Sequence, residues 1–338
     1  MVFRLPNKPH KAKYLLNFTI TGRQFSFYEL ISYVAMFASV PMLAYGINRY
    51  NLPVIITIYF TILGLYSGFF ATLIWNDISD VEIDAIAHPT RILPSRKISV
   101  QKFFATALIF SVLTFMCTYL VSLWCFILVV LTALFVTIHN KYLKKIVRLP
   151  AYSEIFTPMQ WVIVPIFGFL AIWTTLPPTR EVLLTVPILG YISFDWFDFQ
   201  NMILLVLFTY FADNAHDLPE GIHDAKGDRE LGVRTYATSF GEKNAARISF
   251  IMLFLSGILG IILFLRIVLN LVFVLPFLAL WLYTLYTSYT FLRTNPKEME
   301  EQGGIIGQKI FRYFWLTYDL IFLDILIQIA MHNIISFY

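Results

Sequence analysis

Charge is what this chain has least of. Only 14% of its 338 residues are Asp, Glu, Lys or Arg, whereas 58% are hydrophobic. A soluble domain carries about a quarter charged residues. That scarcity excludes an ordinary soluble globule and points to an integral membrane protein with no nucleic-acid partner. Cysteine is nearly absent too. Cys117 and Cys125 both lie in one apolar run, so no disulfide framework and no thiolate metal cluster can be built. No secretory leader is expected, because residues 1–23 are basic and polar without an apolar segment. One membrane domain over residues 1–338 is expected, with 1–27 as an N-terminal cytoplasmic segment.

What the chain does have is a series of long uncharged runs. A membrane-crossing helix needs about 20 mostly apolar residues. Residues 30–48 and 50–76 supply two spans. The run 103–140 is too long for one helix and is read as a hairpin of two, turning near Ser122. Residues 155–179 supply a fifth, with Pro158 and Pro165 as kinks. The sixth is the shortest, at 199–214. Residues 248–265, 268–292 and 314–338 complete nine. The fold expected is therefore all-α, a multi-pass bundle of nine transmembrane helices. All but Arg49, Arg180 and Arg266 of the 25 Lys and Arg residues fall on one side of it. By the positive-inside rule that side, which holds the N-terminus, is cytoplasmic in a cell membrane.

Topology signalling explains the basic residues but not the acids, which gather in two stretches on the cytoplasmic side. The first is Asn76-Asp77-Ile78-Ser79-Asp80-Val81-Glu82-Ile83-Asp84. On a helix, Asp77, Asp80 and Asp84 share one face at the end of span two. In the second, Asp213, Asp217, Glu220, Asp224 and Asp228 lie on one stripe about 80° wide, with Pro219 as a place where the helix kinks or restarts. Like charges so spaced repel, so something positive should bind there. Oxygen ligands without His or Cys partners suit Mg²⁺ better than zinc. Two clusters could hold two or more ions around one diphosphate and neutralise it as a leaving group. Arg91, Lys144 and Arg148 sit in cytoplasmic loops from which they could help.

These residues resemble the UbiA-type intramembrane prenyltransferases. The first signature, NDxxDxxxD, is met by Asn76, Asp77, Asp80 and Asp84. The run from Asp84 through His88, Pro89, Arg91, Leu93, Pro94 and Ser95 to Ser99 is similar to the segment that follows it in the family. The second signature is met by Glu220-Gly221-Ile222-His223-Asp224-Ala225-Lys226-Gly227-Asp228 and then Gly232-Val233-Arg234-Thr235. A YxxxLK-like element corresponds to His139-Asn140-Lys141-Tyr142-Leu143-Lys144. Ile92 and Arg96 depart from the pattern, and a Gly-Asn pair is missing near 151–153, a region that bears on the acceptor.

The resemblance implies a UbiA-like bundle with two cytoplasmic Asp-rich loops. It implies a prenyl diphosphate donor, a lipophilic acceptor and Mg²⁺. Asp77, Asp80, Asp84, Asp224 and Asp228 would bind metal. Asn76 would orient the metal–diphosphate group, and Arg91 and Lys144 would grip diphosphate oxygens. Diphosphate would leave, and the acceptor would attack the allylic cation. Glu220, Asp217, Arg148, Tyr142, His88 and His223 are secondary candidates, and Glu154 and Gln160 could line the pocket. Asp195, Asp198, Asp319 and Asp324 are kept out of the core site. The acceptor stays open between a lipid glyceryl phosphate and an aromatic or quinone precursor. Two rival readings remain: a UbiA-type terpene cyclase acting on the same donor, and a membrane transporter of cations or lipid phosphates. A transporter would place its ionisable residues near mid-membrane rather than at span ends.

Overall fold

The computed structural model describes residues 25–79, 81, 85, 93–143, 146–266 and 269–335. Helix α1 (Phe27–Tyr45) opens with a capping box. Ser26 accepts the Glu29 N–H, and the Glu29 carboxylate accepts the Ser26 N–H at 2.7 Å. Helix α2 (Leu52–Ser79) runs into the first acidic stretch. Helices α3 (Val100–Val121) and α4 (Leu123–Ile138) form the expected hairpin. Ser122 makes the turn in an extended conformation: its N–H donates to the Thr118 carbonyl and its hydroxyl accepts the Cys125 N–H. A π-helical turn, His139–Leu143, ends α4.

The expected fifth span is split. A short α5 (Tyr152–Phe156) and α6 (Met159–Trp173) meet at Thr157 and Pro158, while Pro165 lies inside α6. After a β-hairpin of β1 (Val182–Val186) and β2 (Gly190–Phe194) comes α7 (Trp196–Leu231). The chain ends with α8 (Tyr236–Phe240), α9 (Glu242–Arg266), α10 (Leu271–Leu292) and α11 (Pro296–Ile335).

Eight helical segments among the described residues are long and apolar enough to cross a membrane. Helix α7 packs among them although it is more polar, because its second half carries the acids. Successive helices touch around the bundle, and α11 closes it against α1 and α7. Large aromatic side chains such as Phe37, Phe70, Phe167, Phe208, Tyr313 and Phe314 fill the interior.

Three features differ from expectation. The last span is not confined to 314–338 but belongs to a 40-residue helix that begins at Pro296. Lys309 and Arg312 therefore lie on helix rather than in a loop. At 1.5 Å per residue such a helix is roughly 60 Å long, about twice a hydrocarbon core, so its polar first half projects from the membrane. The second acidic stretch is likewise helical throughout, not a loop, since α7 runs on through Pro219. The β-hairpin was not anticipated at all.

The continuity of α7 has a specific cause. Proline has no N–H, so Pro219 leaves the carbonyl of Ala215 without its helical donor. The hydroxyl of Ser249, on α9, donates to that carbonyl at 2.7 Å. Beside this point α11 comes unusually close. A Cβ at Gly303 would collide with the backbone carbonyl of Pro219, and one at Gly307 with the side chain of Glu220. Small residues permit such backbone contact between membrane helices.

Candidate functional site

Two helices deliver the acids to one end of the bundle. Asn76 and Asp77 occupy the last turn of α2, and Asp77 is buried. The π-turn meets them from α4. Asn140 Nδ2 donates to Asn76 Oδ1 at 2.7 Å, which fixes the amide of the first signature residue. A single π-turn widens the helix by one residue, and such turns are frequent at functional sites. Here it points His139 inward to stack on Phe135, 5.9 Å between ring centroids. Asn76, His139, Asn140, Thr157 and Gln160 line a cavity of about 60 Å³.

The second cluster lies along α7. Asp213 is fully buried. Nδ1 of His216 lies 3.3 Å from Asp213 Oδ1 and donates to the Asp213 backbone carbonyl at 2.6 Å. Its Nε2 faces Asp217 Oδ1 at 3.2 Å. Neither oxygen of the Asp213 carboxylate has a hydrogen-bond partner among the described residues. Asp213, His216 and Asp217 each offer a ligand atom, all within 4.8 Å of one another. A buried carboxylate with unused lone pairs, beside a second one, is a donor set that fits a divalent cation. Glu220, Asp224 and Asp228 continue the cluster, partly exposed, toward the end of α7.

Between the clusters stands α5. Glu154 is buried, its carboxylate accepts the backbone N–H of Tyr236, and it lies in the field of Asp217 and Asp228. It fits only because residue 221 is glycine: a Cβ there would strike Glu154 Oε1. Burial pushes the Tyr236 phenol up to about 12, with Tyr210 and then Glu154 adding to the rise. The phenol therefore stays neutral.

An aromatic array joins the two sides beneath the acids. Tyr33 of α1 packs on Phe69 of α2 at 4.7 Å, and Phe69 on Trp161 of α6 at 5.5 Å. Trp161 meets Phe311 and Phe314 of α11 at 5.9 and 5.5 Å. Phe311 stacks on His216 of α7 at 4.6 Å. Ring faces attract cations and exclude water. Carboxylates above and aromatic faces below suit chemistry that draws a charged head to the membrane surface and shelters a cation just inside it.

The remaining candidates divide. His223 is held against α11, its Nδ1 at 2.7 Å from the Glu300 carbonyl. Tyr142 is half exposed and carries the Lys141 ammonium over its ring. Arg148 is exposed, and its carbonyl accepts a hydrogen bond from Arg234. Asp324 caps α10, accepting the Asn270 N–H at 3.1 Å. Asp195 pairs with Arg180 at the opposite end of α7. Asp80, Asp84, His88, Arg91 and Lys144 lie outside the described residues. Sequence reasoning overlooked His216 and Ser249 and gave Asn140 no role. For His216 the signal was present, as Asp213-x-x-His216-Asp217 at i, i+3 and i+4. Asn140 fell within the YxxxLK-like element but without a role, and nothing local marked Ser249; their partners are 64 and 34 residues away.

The chain is 28% identical over 180 residues to the digeranylgeranylglyceryl phosphate synthase of Saccharolobus solfataricus, covering 53% of this chain and 55% of that one. It is 23% identical over 224 residues to the synthase of the same name from Methanococcoides burtonii, covering 65% and 66%. The chain thus spans little more than half the length of the first of these curated relatives. The fold is similar to an apo UbiA homologue from Aeropyrum pernix, with a TM-score of 0.58, 15% identity and coverage of 86% of this chain and 98% of the other. It is also similar to an Archaeoglobus fulgidus UbiA homologue bound to GPP and Mg²⁺, with a TM-score of 0.51, 13% identity and coverage of 86% and 97%. The model of the UbiA prenyltransferase family matches residues 32–306. With most of its length so matched, the chain belongs to the UbiA prenyltransferase family.

Proposed function

We propose that this protein transfers an isoprenyl group from a prenyl diphosphate to a lipophilic acceptor and releases diphosphate. The observation that carries the reading is the meeting of Asp77, at the end of α2, and the acids of α7 at one end of the bundle, with α5 between them and a continuous aromatic array beneath. The family supports it, as do the relatives named as digeranylgeranylglyceryl phosphate synthases and the A. fulgidus homologue bound to GPP and Mg²⁺. Asp77 with Asp80 and Asp84 on one side, and Asp224 and Asp228 on the other, would hold Mg²⁺, two ions or more, with Asp217 and Glu220 beside them. When bound, the metal supplies positive charge that makes diphosphate a better leaving group.

The chain's own groups do the rest. Asn76, fixed by Asn140, orients the head group, and Arg91 and Lys144 grip its oxygens. Phe69, Trp161 and Phe311 keep water from the allylic cation and present their faces to it. The donor's tail lies among apolar helices, where a C15–C20 chain is most stable. The acceptor we favour is a glyceryl phosphate ether-lipid precursor, in keeping with the relatives' names and the basic loops. The whole chain forms one domain, with its N-terminus and acidic end on the cytoplasmic face of the cell membrane by the positive-inside rule.

The test is diphosphate release from geranyl, farnesyl and geranylgeranyl diphosphates with Mg²⁺, with and without an acceptor panel, and identification of the product. The expected result is acceptor-dependent release that is lost with EDTA and in Asp80→Ala and Asp224→Ala. Acceptor-independent release giving a cyclic product would replace transfer with cyclisation. A folded protein with no turnover across the panel would overturn both.

A further inference from the structure

The β-hairpin between α6 and α7 has no part in the chemistry, and its surface is the wrong kind for water. Strands β1 and β2 pair antiparallel from Val182–Phe194 to Val186–Gly190, and residues 182–194 carry no charge. Successive strand residues point to opposite faces. Leu183 and Leu184 are 50% and 48% exposed, so both faces of β1 are apolar and uncovered. At the tip Ile188 is 94% exposed. An ordinary surface hairpin covers one face and turns polar residues outward on the other. Here Ile192 and Ser193 of β2 are buried against the bundle, but the uncovered surface, on β1 and at the tip, is largely apolar.

Its charged groups are all at the base, and Thr185 and Tyr191 are the polar pair nearer the tip. Arg180 pairs with Asp195, the Glu181 N–H donates to Asp195 at 3.2 Å, and the Trp196 N–H donates to Glu181 at 3.2 Å. Phe194 stacks on Trp173 at 4.5 Å and on Phe199 at 5.8 Å, which ties β2 to the ends of α6 and α7. A hairpin standing away from the membrane would keep its charged base near lipid and push its apolar tip into water. The reverse orientation satisfies both ends.

The hairpin is also at the right level. Trp196 and Asp217 are 21 residues apart on α7, roughly 31 Å at 1.5 Å per residue, which is about one hydrocarbon thickness. The hairpin therefore sits at the interface opposite the acidic clusters. Trp196 and Phe197 are half exposed beside it, and the Arg266 guanidinium lies 5.3 Å from the Phe197 ring. Amphipathic aromatics and a basic residue are what anchors helices at an interface. Their exposed surface continues along α7 through Ile203 and Leu207, on the lipid-facing side of a spanning helix.

We propose that residues 182–197 form an interfacial anchor that lies in the leaflet opposite the acidic clusters, with Ile188 inserted among acyl chains. The partner is the lipid bilayer itself rather than another protein. The test uses the full chain in lipid nanodiscs, with Cys117 and Cys125 replaced by alanine and a nitroxide on Ile188→Cys. Spin relaxation by oxygen, which concentrates in lipid, is compared with relaxation by a water-soluble nickel chelate. Asn295, in the exposed α10–α11 turn, provides the aqueous reference as Asn295→Cys, and Leu184→Cys is a second reporter. Oxygen contact several-fold above nickel contact at 188 and 184, reversed at 295, is expected. Nickel contact at 188 equal to that at 295 would overturn the proposal. So would shielding from both reagents with spin–spin broadening that vanishes on dilution with unlabelled protein, which would assign the surface to a second copy of the chain.

Discussion

Gly303 and Gly304 are neighbours on one helix, yet replacing each with alanine should have opposite effects. In a helix interior alanine is favoured over glycine by about 0.5–1 kcal/mol, and both variants gain this. Position 304 gains it freely, because its Cβ would rest 3.6 Å from the His223 ring, an ordinary contact. Position 303 does not. Its Cβ would land on the Pro219 carbonyl oxygen and lie 3.1 Å from the His223 nitrogen, both backbone atoms that cannot rotate away. Overpacking of this kind costs typically about 1–3 kcal/mol, so the clash outweighs the helix propensity. Gly303→Ala should lower stability by about 1–2 kcal/mol, while Gly304→Ala should be neutral or stabilising by up to about 1 kcal/mol. The clash also pushes α11 away from the α7 segment that holds Asp217 to Asp228, so Gly303→Ala should lose turnover as well. Thermal unfolding of both variants in detergent, followed by size-exclusion of the folded fraction and by diphosphate release, reads the contrast directly. Equal shifts at 303 and 304, in either direction, would refute the close approach of α11 to Pro219.

Ser249→Ala should destabilise by about 1–3 kcal/mol by orphaning the buried Ala215 carbonyl; the loss should shrink in Pro219→Ala/Ser249→Ala, measured against Pro219→Ala alone, where the helical donor is restored, and thermal melts of these three variants measure this. Asn140→Ala frees the Asn76 amide at the first acidic cluster, and should raise the apparent KM for the donor about tenfold with little change in melting temperature. Asp224→Ala removes a proposed metal ligand from a partly exposed site; it should abolish turnover and weaken the stabilisation that Mg²⁺ with diphosphate gives to the protein, while the ligand-free melt stays near wild type. Glu154→Gln keeps the size of the side chain opposite Gly221 but weakens its bond to the Tyr236 N–H, and a lower melting temperature should follow.

Membrane character, the run of helices, the Ser122 hairpin and the two acidic stretches were legible in the sequence. Each depends on local composition or on helical spacing, and lipid leaves few alternatives to a helix for an uncharged run of about 20 residues. The extents of α7 and α11 were not. Both outlast the apolar signal because contacts with other helices stabilise their polar halves, and where α7 passes Pro219 the freed Ala215 carbonyl is taken up by Ser249 on α9. The β-hairpin was lost among loop residues, since short apolar strands give a weak signal next to membrane-length runs. Helical spacing and the resemblance to the UbiA-type signatures marked Asp77, Asp224 and Asp228 as candidates. Only the tertiary structure assigned partners: Asn140 to Asn76, His216 to Asp213 and Asp217, Glu154 to the Tyr236 N–H, and an aromatic array running from Tyr33 to His216. A chain can specify its own helices through local periodicity, but which faces meet depends on packing between residues far apart in sequence.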